Sequence, residues 1–232
     1  MRCSIIIPTL NEAKGISPFL AHLQKFRTAG HEVIVIDGGS TDSTCQLATP
    51  HVDQLLKTSS GRARQMNAGA DVASGEVLVF LHADTFLPDT ASQDIEQALT
   101  TTSKVWGRFD VRLSGQQILF RVIEWMMNRR SCITGLATGD QAMFVRRDVF
   151  DALGGFHPMP LMEDVEFSRR LCLVSHPFCI KEPVVTDSRR WQKYGAWRTI
   201  FLMWQLRWRY WRGESPESLA QIYRSDVRNA SK

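Results

Sequence analysis

Residues 75–85 constrain the fold more than any other part of the sequence. Within them, residues 77–81 are an unbroken run of apolar side chains, which is typical of a strand buried on both faces of a largely parallel sheet. His82-Ala83-Asp84 follows directly, so an imidazole and a carboxylate lie just past the carboxyl end of that strand. In open α/β sheets, ligands bind in the crevice outside this end.

Two interpretations of this strand end are open. A buried carboxylate is costly unless a cation compensates its charge, so Asp84, with His82 beside it, predicts a bound metal ion. Alternatively, the two side chains only cap the following turn, because Asp and Thr are common turn and cap residues.

Shorter apolar runs alternate with helical patterns along the first part of the chain. Residues 4–8 and 32–36 predict buried strands, and each is followed by a loop and a helical pattern. Residues 52–57 predict a brief third strand before a helix that begins after Gly61. Strand, loop and helix in this order are typical of a doubly wound sheet with right-handed crossovers.

Further along the chain the signals are weaker. Residues 105–113 alternate imperfectly and predict an exposed strand, and residues 183–186 predict a strand at an edge of the sheet. A helical pattern covers residues 117–129, and another helix is expected to begin at Glu163.

The composition is that of one globular core. The chain has 232 residues, of which 44% are hydrophobic and 22% charged, and this favours one α/β domain with an appendage over two independent domains. The net charge of +4 is too small to argue for nucleic acid, and we expect no such partner. No run of about 18 apolar residues is present, so we expect no membrane-spanning segment.

The five cysteines lie far apart and include no metal-type pair such as Cys-x-x-Cys. An odd, scattered set favours a reduced cytoplasmic protein over a disulfide framework. The first residues lead straight into a predicted strand, without the apolar segment of a signal peptide. We therefore expect a cytoplasmic protein with unpaired cysteines.

The C-terminal part has a different character. Residues 196–212 mix Trp, aliphatic residues and Arg at helical spacing, a combination that suits the water–lipid boundary and would place the protein on the inner face of the membrane. Alternatively, this helix packs on the preceding domain or on a twin subunit in a homodimer. We divide the chain into residues 1–190 and an amphipathic helical extension, residues 191–232. Residues 214–232 are polar and are expected to fray at the terminus.

Polar side chains follow at least three predicted strands, and the carboxyl ends of parallel strands gather at one edge of a sheet. A single Asp after a strand is most often a helix N-cap. Several polar side chains on one rim are harder to explain by capping and predict a ligand site. The residues concerned are Asn11, Glu12, Asp37, His82 and Asp84.

Two neighbouring segments have features that suit a nucleotide. Gly38 and Gly39, directly after Asp37, allow a base or ribose to approach the backbone closely. Arg62 and Arg64 lie at a predicted helix start, where backbone N–H groups and guanidinium groups both favour phosphate. Solvated surface arginines are the alternative interpretation.

Glu163 and Asp164 occupy another predicted helix start. Acidic residues there stabilise the helix dipole, which is the simpler explanation for Glu163. A carboxylate at such a position can also serve as a general base, and Asp164 is the candidate.

Together these segments resemble the GT-A family of nucleotide-sugar-dependent glycosyltransferases, family 2. The matching pieces occur in the family's order over roughly residues 4–172, and the His-Ala-Asp version resembles that of a bacterial subgroup. They are residues 4–12, residues 35–42, Asn67-x-Gly69, residues 75–84, Gly154-Gly155-Phe156 and Glu163-Asp164.

The resemblance implies an α/β fold with a mostly parallel, Rossmann-like sheet flanked by helices. It also implies the transfer of a sugar, expected to come from a UDP-sugar, to an acceptor hydroxyl with inversion. The acceptor would be a lipid or a small molecule. Two alternatives to this function are a nucleotidyltransferase on a similar sheet and a non-catalytic nucleotide-sugar-binding module.

Roles for individual residues also come from the resemblance. His82-Ala83-Asp84 would be the Asp-x-Asp element, in which Asp84 binds Mn²⁺ or Mg²⁺ on the diphosphate. Asp164 would be the catalytic base, with Asp140 as the second candidate. The residues implied to hold the base and ribose are Pro8, Thr9, Glu12 and Asp37.

The sequence departs from the family pattern at two places. His82 replaces the first Asp of the element, and a histidine would still hydrogen-bond ribose or ligate a borderline metal such as Mn²⁺. Met66 stands where the family usually has Arg directly before Asn67. Arg62 or Arg64 would then take over that contact.

Overall fold

The computed structural model describes residues 1–229, and eight strands of these residues form one sheet. The strands are β1 Cys3–Thr9, β2 Glu32–Asp37, β3 Gln54–Lys57, β4 Val77–Phe80, β5 Thr85–Phe86, β6 Trp106–Leu113, β7 Phe144–Arg146 and β8 Phe178–Thr186. Their order across the sheet is β3-β2-β1-β4-β7-β6-β8-β5.

The helices connect the strands and extend the chain beyond them. They are α1 Ile16–Thr28, α2 Thr44–Ala48, α3 Arg62–Val72, α4 Ala91–Thr100, α5 Ile118–Thr134, α6 Arg147–Ala152, α7 Glu163–Val174, α8 Arg189–Tyr194, α9 Ala196–Trp211 and α10 Pro216–Asn229. A short 3-10 turn covers Gly139–Gln141.

Strands β3, β2, β1 and β4 form the parallel half of the sheet. Thr9 at the end of β1 lies opposite Asp37 at the end of β2, so the loops after both strands leave the sheet at the same edge. Antiparallel pairings of β7 with β4 and β6, and of β5 with β8, make the whole sheet mixed. The predicted βαβ arrangement is confirmed for the parallel half.

Both faces of the parallel half are buried, as its apolar runs predict. In β1, Ile5 and Ile7 pack into a cluster with α1 and α4, whereas Ile6 between them packs into a second cluster with α3, α6 and α7. All four residues of β4 are buried. Helices therefore cover both faces, and a ligand is expected at the carboxyl edge.

The predictions for two later strands are wrong. β6 is not exposed, because it pairs with β7 and β8 and is covered by α5. The fully buried Arg108 pairs with the half-buried Asp110 on the same strand. β8 is not an edge strand, because it lies between β6 and β5.

The expectation of five unpaired cysteines is also wrong. Cys132 on α5 and Cys179 on β8 form a disulfide, with 6.0 Å between their Cα atoms. The two are 47 residues apart in sequence, so only the packing of α5 against the β6–β8 pair brings them together. Cys3, Cys45 and Cys172 are free.

The C-terminal helices pack on the rest of the fold. Leu202 and Leu206 of α9 are buried with Met162, Val165 and the α10 residue Leu219. Helix α10 packs on this cluster through Leu219 and extends to Asn229. The last residues of the segment expected to fray, 230–232, lie outside the described residues, so the fraying stays a prediction. The division between residues 190 and 191 stays a proposal and falls within α8. None of the described helices is both long and apolar enough to cross a membrane.

Candidate active site

The loops after β1 and β2 are tied to each other. The side chain of Asn11 accepts a hydrogen bond of 2.9 Å from the N–H of Thr41, and the N–H of Asn11 donates one of 2.8 Å to Ser40. The N–H of Glu12 donates a bond of 2.8 Å to Thr44 at the start of α2. The polar residues expected to bind a ligand thus also hold these two loops in one shape.

Asp37 organises the second of these loops. Its carboxylate accepts hydrogen bonds from the N–H groups of Gly39 and Ser40, at 3.0 and 2.9 Å, and from the Ser40 hydroxyl. Burial acts to raise the pKa of Asp37, but the bonds from Ser40 and Gly39 outweigh it and lower the pKa overall. Asp37 is therefore held as an anion at the end of β2.

Gln65 on α3 is a positioning residue that the sequence did not indicate. Its buried amide donates to the carbonyl oxygens of Thr9 and Ile36, at 2.9 and 2.8 Å, and joins the ends of β1 and β2. A Cβ on Gly38 would lie only 3.0 Å from this amide, so Gly38 leaves the room that Gln65 needs.

A cavity of about 350 Å³ lies beyond the carboxyl end of β4. It brings together five of the predicted site residues, which are Arg62, His82, Asp84, Asp140 and Asp164. The other predicted residues do not line it: Pro8, Thr9, Asn11, Glu12, Asp37, Gly38, Gly39, Arg64 and Ala83.

Asp84 lies where carboxylates crowd together. Burial raises the pKa of Asp84 although Arg189 acts against it. Burial and then the charge of Asp84 raise the pKa of the half-buried Glu12, so these two side chains are close enough to repel each other. Asp187, which lines the cavity, adds a further negative charge beside Asp84.

His82 lies against Gly139. Burial and the charge of Arg62 lower the pKa of His82 well below its usual range, so the imidazole is neutral. Its Nε2 is buried without a hydrogen-bond partner, and a Cβ on Gly139 would lie 2.3 Å from it. A metal bound to Nε2 at about 2.1 Å would need nearly the same space.

Asp164 lies in the first turn of α7 and lines the same cavity. Its Oδ2 accepts a hydrogen bond of 2.8 Å from the N–H of Gly139, and its Oδ1 accepts one of 2.7 Å from the N–H of Val165. The hydroxyl of Thr138 donates a bond of 2.5 Å to Asp140 in the adjacent turn. Both candidate bases are thus fixed by short local hydrogen bonds.

Glu163, which stabilises the dipole of α7, also forms an ion pair with Arg62. It is buried, and its Oε1 lies 3.5 Å from Nη1 of Arg62. Burial and the neighbouring Asp164 raise the pKa of Glu163. Burial acts to lower the pKa of Arg62, but Glu163 and then Asp164 raise it overall. Glu163 therefore holds the Arg62 guanidinium at the cavity.

The C-terminal helices supply part of the cavity wall, which the sequence analysis missed. These residues are Trp191 of α8, Thr199, Met203 and Arg207 of α9, and Tyr223 of α10. The only signal was the stretch of Arg and Trp residues after residue 188, and nothing in its helical period pointed toward the site.

No cluster of three or more His, Cys, Asp or Glu side chains suited to a metal occurs among the described residues. Divalent ions bound by one or two carboxylates commonly keep waters and substrate phosphates as further ligands, which suits a single carboxylate such as Asp84.

The sequence profile described as Glycosyl transferase family 2 matches residues 4–154, more than half of the chain. The chain belongs to glycosyl transferase family 2. This family 2 chain is 29% identical over 178 residues to the "PGL/p-HBAD biosynthesis glycosyltransferase" of Mycobacterium tuberculosis, covering 66% of the chain and 62% of the relative. It therefore spans about three fifths of the length of these curated relatives.

Two solved structures show the same fold. TarS of S. aureus in complex with UDP superposes with a TM-score of 0.66 at 18% identity, covering 81% of the family 2 chain and 60% of that chain. The mannosyltransferase PcManGT from Pyrobaculum calidifontis, in complex with GDP-Man and Mn²⁺, superposes with a TM-score of 0.60 at 23% identity. The match covers 80% of the family 2 chain and 56% of that chain. The family 2 chain has the GT-A fold that the resemblance implies.

Proposed function

We propose that this chain is a glycosyltransferase that moves a sugar from a nucleotide-sugar donor, expected to be a UDP-sugar, to an acceptor hydroxyl with inversion. The observation that carries the proposal is one cavity that joins Arg62 and Asp84 to Asp164 at the carboxyl edge of the sheet. Family membership and the UDP bound by the related fold of TarS support this donor class.

For the donor, we propose that the base and ribose bind along the loops after β1 and β2 and that the diphosphate lies near Arg62. The hydrogen bonds between these loops hold them in shape before the donor arrives, which lowers the entropy cost of binding. The proposed contacts are Pro8, Thr9, Asn11, Glu12, Asp37, Gly38, Gly39, His82 and Ala83, with Arg64 as a second phosphate contact.

We propose Asp84 as the protein ligand for Mn²⁺ or Mg²⁺. Its pKa is raised because burial and the neighbouring Asp187 disfavour its charge, and a bound cation would relieve this cost. When bound, the metal neutralises the charge that develops on the leaving phosphate. His82 could join as a ligand through Nε2 only if Gly139 moved, so we propose that His82 contacts the donor instead.

For the transfer itself, the acceptor oxygen attacks C1 of the sugar as the bond from C1 to the diphosphate oxygen breaks. The bonding electrons leave with the nucleoside diphosphate, and we propose that the Asp164 carboxylate takes the acceptor proton. The bonds from Gly139 and Val165 fix the orientation of this carboxylate. Asp140 is the alternative base. A direct displacement of this kind inverts the anomeric centre.

We propose a lipid or a small molecule as the acceptor, because Trp191, Met203 and Tyr223 add apolar surface to the cavity wall. A cytoplasmic location also stays a proposal. The Cys132–Cys179 disulfide counts against it, since disulfides are rare in that reducing compartment.

A thermal-shift screen of nucleotide sugars with and without Mn²⁺ tests the donor. A binder present at 100 times its Kd would add about 2.7 kcal/mol to the free energy of unfolding. Nucleoside diphosphate released from the stabilising donor, with sugar transferred or hydrolysed, would support a glycosyltransferase. Formation of pyrophosphate and a nucleotide sugar from a nucleoside triphosphate and a sugar 1-phosphate would indicate a nucleotidyltransferase, and binding without any turnover would indicate a non-catalytic module.

A further inference from the structure

Helix α9 exposes a stripe of aromatic side chains opposite its packed face. At about 100° per residue, the five side chains fall within an arc of about 80°, while Leu202 and Leu206 lie on the other side of the helix. Trp197 is 73% exposed, Phe201 70% and Trp211 81%. The stripe consists of Trp197, Phe201, Trp204, Trp208 and Trp211.

Helix α5 carries a second apolar stripe. Its exposed residues recur at the spacing of one helix face, and its buried residues Phe120 and Ile123 lie on the opposite face. Those two residues share a cluster with Ala196 and Ile200 of α9, so the two helices are neighbours. The exposed residues are Ile118, Val122, Trp125, Met126 and Ile133.

Positive charges accompany both stripes. The guanidinium of Arg212 lies 4.9 Å from the ring centroid of Trp208, and that of Arg129 lies 5.7 Å from the ring of Trp125. The sequence of α9 contains no Asp or Glu, and the single acid of α5, Glu124, is buried. Large exposed apolar areas mark interaction sites. The charged residues beside these stripes are mainly basic: Arg209 and Arg212 lie with one acid, Glu214, beside Trp208, and Arg129 and Lys181 lie with one acid, Asp110, beside Trp125.

The positive charge beside the two stripes favours an anionic lipid surface over a second copy of this chain as the binding partner. In a twofold dimer the same patch faces itself, so the arginines of two copies would be brought together without acidic partners from these helices. Anionic lipid head groups instead complement the arginines, while Trp side chains settle at the boundary between head groups and acyl chains.

We propose that the exposed stripes of α9 and α5 dock this protein on the surface of an anionic lipid bilayer. The other side of α9 lines the cavity through Thr199, Met203 and Arg207, so one helix separates the bilayer from the site. Where the proposed function holds, this arrangement brings an acceptor that resides in the membrane next to Asp164. Docking itself does not depend on catalysis.

Co-sedimentation of the full chain with vesicles tests the proposal, without donor or acceptor. We expect binding to vesicles that contain phosphatidylglycerol, weaker binding at high salt, and little binding to phosphatidylcholine alone. The double substitution Phe201→Glu with Trp204→Glu should abolish binding and leave nucleotide-dependent thermal stabilisation intact.

The matched control places the same two charges elsewhere. Leu173 and Val174 at the end of α7 are exposed, and Leu173→Glu with Val174→Glu should leave vesicle binding unchanged. If the wild-type protein does not co-sediment with anionic vesicles, the proposal is wrong. A stable dimer in solution that the Phe201 and Trp204 substitutions convert to monomer would also overturn it, because the stripe would then be a subunit interface.

Discussion

The N–H of Gly139 donates a hydrogen bond of 2.8 Å to Oδ2 of Asp164, which ties the turn Gly139–Gln141 to the start of α7. The same glycine lies against the imidazole of His82, since a Cβ on Gly139 would be 2.3 Å from Nε2. One residue therefore sets the separation between the proposed donor side and the proposed base. Substitutions along this line should affect transfer more than folding.

Asp164→Asn should remove the proposed base while keeping the shape of the site. We expect the rate of transfer to fall by about 10²–10⁴-fold, because a positioned general base contributes about that much. Donor affinity should stay near that of the wild type, since the amide oxygen still accepts the Gly139 bond and only the local bond from Val165 is lost. Transfer kinetics and calorimetric donor binding measure the two effects. Unchanged turnover would assign the base elsewhere, and Asp140→Asn then becomes the decisive variant.

Asp84→Ala should remove the metal-dependent part of donor binding. In the wild type we expect the donor to raise the Tm more with Mn²⁺ than without it, and in the variant the two shifts should coincide. Asp71→Ala, on the exposed surface of α3, is the control and should behave as the wild type. A full Mn²⁺ effect in Asp84→Ala would show that the metal binds elsewhere.

Gly139→Ala should push the His82 ring out of its place, because the new methyl would lie 2.3 Å from Nε2. Overpacking of this kind costs about 1–3 kcal/mol, and the shift should also weaken donor binding. Gly15→Ala meets no atom within 4 Å and should change stability by less than about 0.5 kcal/mol. Urea denaturation measures the free energy of unfolding of both variants. Equal values would mean that the turn around Gly139 shifts to accommodate the methyl group without a cost in stability.

Glu32→Gln should destabilise the fold in a pH-dependent way. Burial acts to raise the pKa of Glu32, but hydrogen bonds from Ser4, Ser74 and Gln54 lower it overall. A carboxyl whose pKa is depressed in the folded state stabilises the fold above its unfolded pKa of about 4.3, and this contribution is lost as the pH falls through the folded value.

At pH 7, Glu32→Gln should cost about 1–3 kcal/mol, the usual cost of disturbing buried hydrogen bonds to a charged group. Urea denaturation from pH 7 down to about pH 3.5 should show the wild type approaching the variant at the acidic end, below the unfolded pKa of about 4.3. If the stability difference between the wild type and Glu32→Gln stays constant over this pH range, the lowered pKa of Glu32 does not contribute to folding as described.

The sequence alone was enough for the parallel half of the sheet and for part of the site. The apolar runs of β1, β2 and β4 are kept from water when helices cover both faces of the sheet. Neighbouring parallel strands also end at the same edge of a sheet. Asp84 and Asp164 were indicated by their positions after a buried strand and at a helix start together with the family resemblance, although capping and the helix dipole also explain acids at such positions. Both line the cavity.

The parts of the fold and of the site that the sequence did not predict depend on contacts between residues far apart in the chain. The imperfect alternation of residues 105–113 did not reveal that Arg108 is buried and paired with Asp110 within β6. Cys132 meets Cys179 because α5 packs on β6, the neighbour of β8. The periodicity of α9 shows that it is amphipathic but not which neighbour its inner face meets. Its contribution of Arg207 to the cavity therefore required the tertiary structure. Local patterns report whether a side chain avoids water, whereas its partner depends on contacts between distant parts of the chain.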